Sequence, residues 1–331
     1  MQASVLSGDK FILEQISKPV LKDKGAIIKV YGCGLCGSDI VKYTHNLVKD
    51  GAVLGHEVIG EVVEINSNSD FKVGDMVAVA HHYPCLSCNF CKHENYSMCS
   101  TFKKSNIKPG GFSEYILVDE NHLKYTVFKI PVGMDFITAS FTEPLACCYR
   151  AVNRMGWIKG DRVLVVGLGS IGILMGQVCK VLGARVMGLD INPKRLEIAE
   201  DFGFDEVYLT SELDESLDAD AIFLTAGADS SVETAIENIR DGGKICVFAS
   251  TKTDVPAFPN NEVYYRELMV FGSYSPSLND LKQSFELLKE KKINVEGMSK
   301  IYNLAELNEA IADTQQGKIL KAFIKVGDIN V

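Results

Sequence analysis

Four cysteines, Cys85, Cys88, Cys91 and Cys99, are separated by two, two and seven intervening residues. Thiolates at that spacing can surround one Zn²⁺ tetrahedrally, with Zn–S near ~2.3 Å, in a closed site that steadies a loop and catalyses nothing. Upstream, Gly32-Cys33-Gly34-Leu35-Cys36-Gly37-Ser38-Asp39 and Gly55-His56-Glu57 offer a thiolate, an imidazole and a carboxylate. That mixed set suits a zinc that keeps an open position. Cys36 and His56 lead it, Glu57 adjoins His56, and Glu143 in Thr142-Glu143-Pro144-Leu145-Ala146 is a second candidate carboxylate. Asp39 can accept the imidazole N–H of His56 and fix its tautomer. Two zinc sites are therefore expected, one catalytic and one structural.

A third group could hold phosphate. Gly167-Leu168-Gly169-Ser170-Ile171-Gly172 follows the apolar run Arg162-Val163-Leu164-Val165-Val166 and opens a helical stretch through Lys180. In that context the first glycine permits the tight turn, the second lets the pyrophosphate approach and the third allows close helix packing. The helix N-terminus then presents free N–H groups to the anion. Asp190, at the end of the next apolar run, can accept both ribose hydroxyls and repel a 2′-phosphate, which predicts NAD rather than NADP. Lys194 and Arg195 lie just beyond; they are either helix-face cations or, Arg195 above all, cofactor contacts that soften the preference.

Two kinds of scaffold must position these groups. Up to about residue 140 the chain reads as short strands with frequent turns: 10–15, 25–31, 58–65, 76–80 and 112–118, as in a compact all-β barrel. From about residue 147, apolar strands at 162–166, 185–189, 206–209, 220–225, 244–249 and 269–272 alternate with amphipathic helical stretches. That alternation predicts βαβ units and a doubly wound parallel sheet of six strands. A helix over 278–291 and a last strand ending in Lys321-Ala322-Phe323-Ile324-Lys325-Val326 follow. A completed six-strand sheet has no place for that strand, so it is expected to return to the β unit. The division predicted is 1–146 with 273–331, and 147–272.

Composition removes other classes of function. A net charge of −9 without a basic run argues against nucleic acid. No apolar run approaches the ~18 residues of a membrane span. Met1-Gln2-Ala3-Ser4-Val5-Leu6 lacks the n-region and h-region of a signal peptide, so a cytoplasmic chain is expected. There the ten cysteines stay reduced and their clustering points to metal; Cys147, Cys148, Cys179 and Cys246 read as small buried hydrophobes.

Taken together, Gly34-Leu35-Cys36-Gly37-Ser38-Asp39, Gly55-His56-Glu57, the four-cysteine lobe, Glu143-Pro144-Leu145 and the glycine turn resemble the zinc-containing medium-chain dehydrogenases, the sorbitol (polyol) branch in particular. The match runs in order along essentially the whole chain. The resemblance implies a GroES-like β-barrel catalytic domain, a Rossmann domain binding NAD, and a homodimer or tetramer. Members differ over whether the residue matching Glu57 or that matching Glu143 binds the metal, and Glu57 is ranked slightly ahead. It also implies that zinc acts as a Lewis acid on the substrate oxygen, that Ser38 accepts the proton, and that hydride passes to the nicotinamide.

One position departs from the pattern. Relatives usually carry a proton-relaying histidine five residues after the zinc cysteine, where this chain has Val41; the proton must leave through water, Tyr43 or His45. The resemblance offers Arg266 as a hydroxyl or phosphate anchor, with a structural salt bridge as the alternative. Lys42, with Lys103 and Lys104, would suit an anionic substrate. The function expected is hydride transfer between NAD and a secondary alcohol of a polyol, cyclitol, amino-sugar or sugar phosphate. A threonine-type amino alcohol dehydrogenase and a non-catalytic NAD sensor are its rivals.

Overall fold

The computed structural model describes residues 1–156, 159–228, 230–250 and 258–327. Contacts divide the chain into one unit of Met1–Pro144, Pro276–Lys289 and Val295–Val331, and another of Leu145–Ser275 and Glu290–Asn294. The sequence placed the second unit at 147–272 and did not assign 290–294 to it. That segment joins because Gln177 grips Asn294 twice, Nε2 donating to its carbonyl and Oε1 accepting its N–H, both at 2.8 Å.

The first unit contains strands β1 (Gln2–Ser7), β2 (Lys10–Gln15), β3 (Gly25–Gly34), β4 (Glu57–Asn66), β5 (Met76–Val79), β6 (Tyr115–Asp119) and β7 (Val127–Lys129). Between them lie α1 (Gly37–Thr44), α2 (Asn89–Lys92), α3 (Ser100–Lys104), α4 (Glu120–Tyr125), α5 (Phe136–Ser140) and the first turn of α6 (Thr142–Met155). Strand β1, not expected from its sequence, forms an antiparallel hairpin with β2. Strand β3 is the centre of the larger sheet, antiparallel to both β4 and β6. Ala26, Ile27 and Ile28 along it are fully buried on both faces, so apolar side chains follow one another where an edge strand would alternate.

In the second unit, strands β8 (Arg162–Val166), β9 (Arg185–Asp190), β10 (Glu206–Leu209), β11 (Ala219–Leu224), β12 (Ile239–Val247) and β13 (Met269–Gly272) alternate with α7 (Ser170–Leu182), α8 (Pro193–Asp201), α9 (Ser230–Asn238) and α10 (Asn260–Tyr265). All pairings are parallel, in the order β10-β9-β8-β11-β12-β13. The order reverses between β8 and β11, and the carboxyl end of β8 at such a switch point is where this sheet type receives a dinucleotide.

The chain then returns to the first unit through α11 (Leu278–Lys289), β14 (Ser299–Asn303), α12 (Leu307–Gln315) and β15 (Lys321–Lys325). Strand β15 inserts between β14 and β3, antiparallel to β3. The last strand therefore completes the β unit, as its lack of a place in the parallel sheet predicted.

Candidate functional site

Cys36 and His56 are brought together by one carboxylate. Cys36 caps α1, its Sγ accepting the Ser38 N–H at 3.5 Å. Asp39, three residues on, returns Oδ2 to the Cys36 N–H at 3.3 Å, closing a capping box. The other oxygen, Oδ1, accepts from His56 Nδ1 at 3.2 Å and from the Gly55 N–H at 3.5 Å. Asp39 thus fixes both the backbone that carries the thiolate and the tautomer of the imidazole, leaving Nε2 of His56 for a metal. Burial opposes ionisation of Asp39, yet His56 and then Lys42 hold its carboxyl below the usual range.

The two carboxylates have different surroundings. Glu57 opens β4 opposite Gly34 of β3; a Cβ at Gly34 would lie 1.8 Å from Glu57 Oε2, so the glycine makes room for this side chain. Both Glu57 and Lys321, the first residue of β15, are buried. Lys321 Nζ donates to Glu57 Oε1 at 2.7 Å and to the Leu35 carbonyl at 3.2 Å. Oε2 lies 2.5 Å from the same ammonium but outside hydrogen-bonding geometry. Burial works against the charge on Lys321, and Glu57 with Cys36 more than reverses it, raising its pKa. Glu143, at the start of α6, is also buried.

Donor atoms of Cys36, His56 and Glu57 lie within 4.8 Å of one another, and so do those of His56, His81 and Glu143. A half-buried thiolate with a buried imidazole and carboxylate at that separation fits a divalent ion of zinc's ligand preference. His81 was not picked out from the sequence. Its signal is faint: a histidine pair directly after a strand and before the first lobe cysteine, with no spacing to His56 that marks a metal site.

In the lobe, the Sγ atoms of Cys85, Cys88, Cys91 and Cys99 also lie within 4.8 Å of one another. Cys85–Cys91 is 4.0 Å and Cys88–Cys91 is 3.6 Å, against ~3.8 Å for thiolates held tetrahedrally at ~2.3 Å from one zinc. These contacts are far longer than the ~2.05 Å of a disulfide, and none of the ten cysteines is in a disulfide. The N–H groups of Cys88 and Cys85 point at Cys85 Sγ (3.3 Å) and Cys99 Sγ (3.4 Å), which stabilises thiolate charge.

The glycine turn joins β8 to α7. Gly167 has φ +94°, and a Cβ there would meet Ala226 at 2.7 Å; a Cβ on Gly172 would lie 2.0 Å from the Gly167 carbonyl oxygen. At Gly169 a Cβ would meet nothing within 4 Å, so this glycine leaves an open cradle in front of the helix, as a pyrophosphate requires. The Ile173 N–H reaches back to the Gly169 carbonyl at 3.0 Å; the N–H groups of Ser170, Ile171 and Gly172 precede the helical ladder. Asp190 ends β9 with its carboxylate buried, Oδ2 accepting the Leu168 N–H at 2.7 Å and Oδ1 the Asn192 N–H at 2.9 Å. Arg195 Nη1 lies 3.5 Å from Asp190 Oδ2.

Leu168 is fully buried and its N–H is taken by Asp190, which shapes the turn. Arg266, proposed as a substrate anchor, clamps the end of the parallel sheet: it binds Asp241 Oδ1 at 2.7 Å, the Ile236 carbonyl at 2.9 Å and the Ile239 carbonyl. The alternative role, a structural one, fits those bonds. Tyr43, one of the proton exits considered, donates its hydroxyl to the Asp9 carbonyl. His45 Nδ1 sits 3.2 Å from the Val41 carbonyl on an exposed helix end. Lys42 lies on α1, while Lys103 and Lys104 are exposed at the end of α3.

Comparison with known proteins agrees with this assembly of parts. Residues 22–131 match the alcohol dehydrogenase GroES-like domain and residues 170–290 match the zinc-binding dehydrogenase domain. The chain is 31% identical over 330 residues to a sorbitol dehydrogenase of Halalkalibacterium halodurans, covering 95% of both chains. It is 29% identical to a D-arabitol-phosphate dehydrogenase of Enterococcus avium, over 96% of this chain and 94% of the relative. Among solved structures, galactitol-1-phosphate dehydrogenase from Escherichia coli superposes with a TM-score of 0.87 at 25% identity, covering 98% of this chain and 100% of that one. No helix among the described residues is long and apolar enough to cross a membrane. The shared sequence, the two-part fold and the paired donor sets agree: the chain belongs to the zinc-containing medium-chain dehydrogenases, in their polyol dehydrogenase branch.

Proposed function

We propose that the chain oxidises a secondary alcohol of a polyol or sugar phosphate with NAD, and reduces the matching ketone in reverse. The observation that carries this reading is the Cys36, His56 and Glu57 donor set, tied together by Asp39. The acyclic polyols and polyol phosphates named for the relatives give the substrate class. Cys36, His56 and a carboxylate of Glu57 or Glu143 would hold a catalytic zinc, and Cys85, Cys88, Cys91 and Cys99 a structural one. When bound, the catalytic zinc supplies Lewis-acid polarisation of the alcohol oxygen, and NAD supplies the hydride acceptor.

The remaining work falls to the chain's own side chains. Ser38, beside Cys36 on the first turn of α1, accepts the substrate's hydroxyl proton. Val41 has no atom to pass that proton on, and the Tyr43 hydroxyl is already donated to Asp9, so the exit runs through water or His45. The free N–H groups at the start of α7 hold the pyrophosphate, and Asp190, already oriented by two backbone bonds, accepts the ribose hydroxyls. Lys42 is placed on α1 to favour an anionic substrate. Ten cysteines kept as thiols suit a reducing cytoplasm. The edge strand β13, with Met269 exposed, offers a surface for a homodimer or tetramer.

The test is a panel of sorbitol, xylitol, arabitol, their phosphates and threonine, each with NAD and with NADP, beside a zinc assay. Polyol-dependent NAD reduction with about two zincs per chain is expected, and Cys36→Ser should abolish turnover with NAD binding retained. Turnover of threonine alone would move the chain to the amino alcohol dehydrogenases. Full activity in Cys36→Ser would remove the metal assignment.

A further inference from the structure

Two donor groups overlap at His56. One contains Cys36 and Glu57, the other His81 and Glu143. We propose that His81 is a direct protein ligand of the same ion as Cys36 and His56, with Glu143 completing the set and Glu57 retained by Lys321. The inference rests on the reading that Cys36 and His56 hold zinc.

Four observations support it. His81 lies with its donor within 4.8 Å of those of both His56 and Glu143. Its Nδ1 is buried and has no hydrogen-bond partner among the described residues, an arrangement that folded proteins avoid unless a ligand or ion completes it. Its ring is held in place: it packs 4.4 Å from the His56 ring and 3.9 Å from that of His82. Its carbonyl accepts from His122 Nε2 at 3.1 Å, and the neighbouring His82 gives Nδ1 to the Ser105 carbonyl. Finally, the charges match. The carboxylate of Glu57 already faces the Lys321 ammonium, while the Cys36 thiolate and Glu143 carboxylate balance a divalent ion. Two imidazoles add donors without adding charge, and buried charge is tolerated where it is paired in this way.

Cobalt(II) placed in the catalytic site, with zinc kept in the four-cysteine lobe, gives the test through its X-ray absorption fine structure, which counts coordinated imidazoles. Two imidazoles are expected in the intact protein and one in His81→Ala. The zinc dissociation constant of that site, from chelator competition, should rise about 10-fold or more in the variant, while the lobe zinc is unmoved. His82→Ala, whose ring is committed to Ser105, should keep the count at two. One imidazole in the intact protein would overturn the assignment of His81 alone, whether or not any variant folds. Failure of the intact protein to take up metal outside the lobe would overturn it together with the zinc reading of Cys36 and His56.

Discussion

Alanine at two glycines of the same turn should separate folding from nucleotide binding. At Gly172 an added Cβ would stand 2.0 Å from the Gly167 carbonyl oxygen. Backbone on both sides must open by more than an ångström, and overpacking of this kind costs about 1–3 kcal/mol. For a unit of this size each kcal/mol lowers Tm by about 4 °C, so Gly172→Ala should melt about 4–12 °C lower without any ligand. At Gly169 the Cβ meets nothing within 4 Å, and the backbone at φ −72° and ψ −174° suits alanine. The chain gains about 0.4–1 kcal/mol from a stiffer unfolded state and loses about as much because alanine is a poorer helix cap than glycine. Gly169→Ala should therefore melt within about 2 °C of the parent. Its methyl group occupies the cradle, so its Kd for NAD should rise tenfold or more, about 1.4 kcal/mol. Thermal denaturation of the ligand-free protein and calorimetric titration with NAD read the two quantities apart. Unchanged NAD affinity in Gly169→Ala would refute the cradle, and equal melting losses in both variants would refute the division of labour within the turn.

Removing zinc from the four-cysteine lobe by chelation should lower Tm before it lowers the rate at fixed NAD, as followed by parallel melting and activity curves; simultaneous loss would tie the lobe to the chemistry. Asp190→Ala should shift cofactor preference toward NADP at least tenfold, because it removes the carboxylate and frees Arg195. It should also destabilise the ligand-free protein by about 1–3 kcal/mol, since the Leu168 and Asn192 N–H groups lose their acceptor; a flat response in steady-state kinetics would end its ribose role. Asp313 is bonded by Tyr302, Lys300 and Lys318, which lower its pKa to about 2 from 3.8. A carboxylate shifted this way stabilises the fold above the unfolded value, and the contribution fades as pH falls from about 4 to about 2. Acid unfolding monitored by circular dichroism should show this step in the parent and lose it in Asp313→Asn.

The lobe and the glycine turn were legible because each is local. Cys85 to Cys99, and Gly167 to Gly172, lie within one loop or one turn, so spacing along the chain is nearly spacing in the fold. The alternating second unit was legible for the same reason, one strand and one helix at a time. The catalytic donors were legible as a candidate set from the motifs that carry the resemblance, but their surroundings were not. Glu57 reads as the neighbour of His56, yet its ion-pair partner, Lys321, is 264 positions away in a strand whose place depends on the whole sheet. His81 gave no spacing signal because the loop after β5 is turned toward His56 by its contacts with His122 and the neighbouring His82. Arg266 left two roles open in the sequence, a ligand anchor or a structural salt bridge, and its bonds to Asp241 and to nearby carbonyl groups fit the second.

The insertion of β15 beside β3 has a consequence for biosynthesis. The parallel sheet is closed by β13 and can settle while the ribosome is still adding residues, as domains commonly do. The other unit must wait. Until the strand that begins at Lys321 emerges, β3 has an open edge along residues 32–34 and the Glu57 carboxylate lacks its ammonium. A translation pause after β13 would therefore yield an intermediate with a finished nucleotide-binding sheet and a barrel still exposing strand edge, the state in which a chaperone would be most needed.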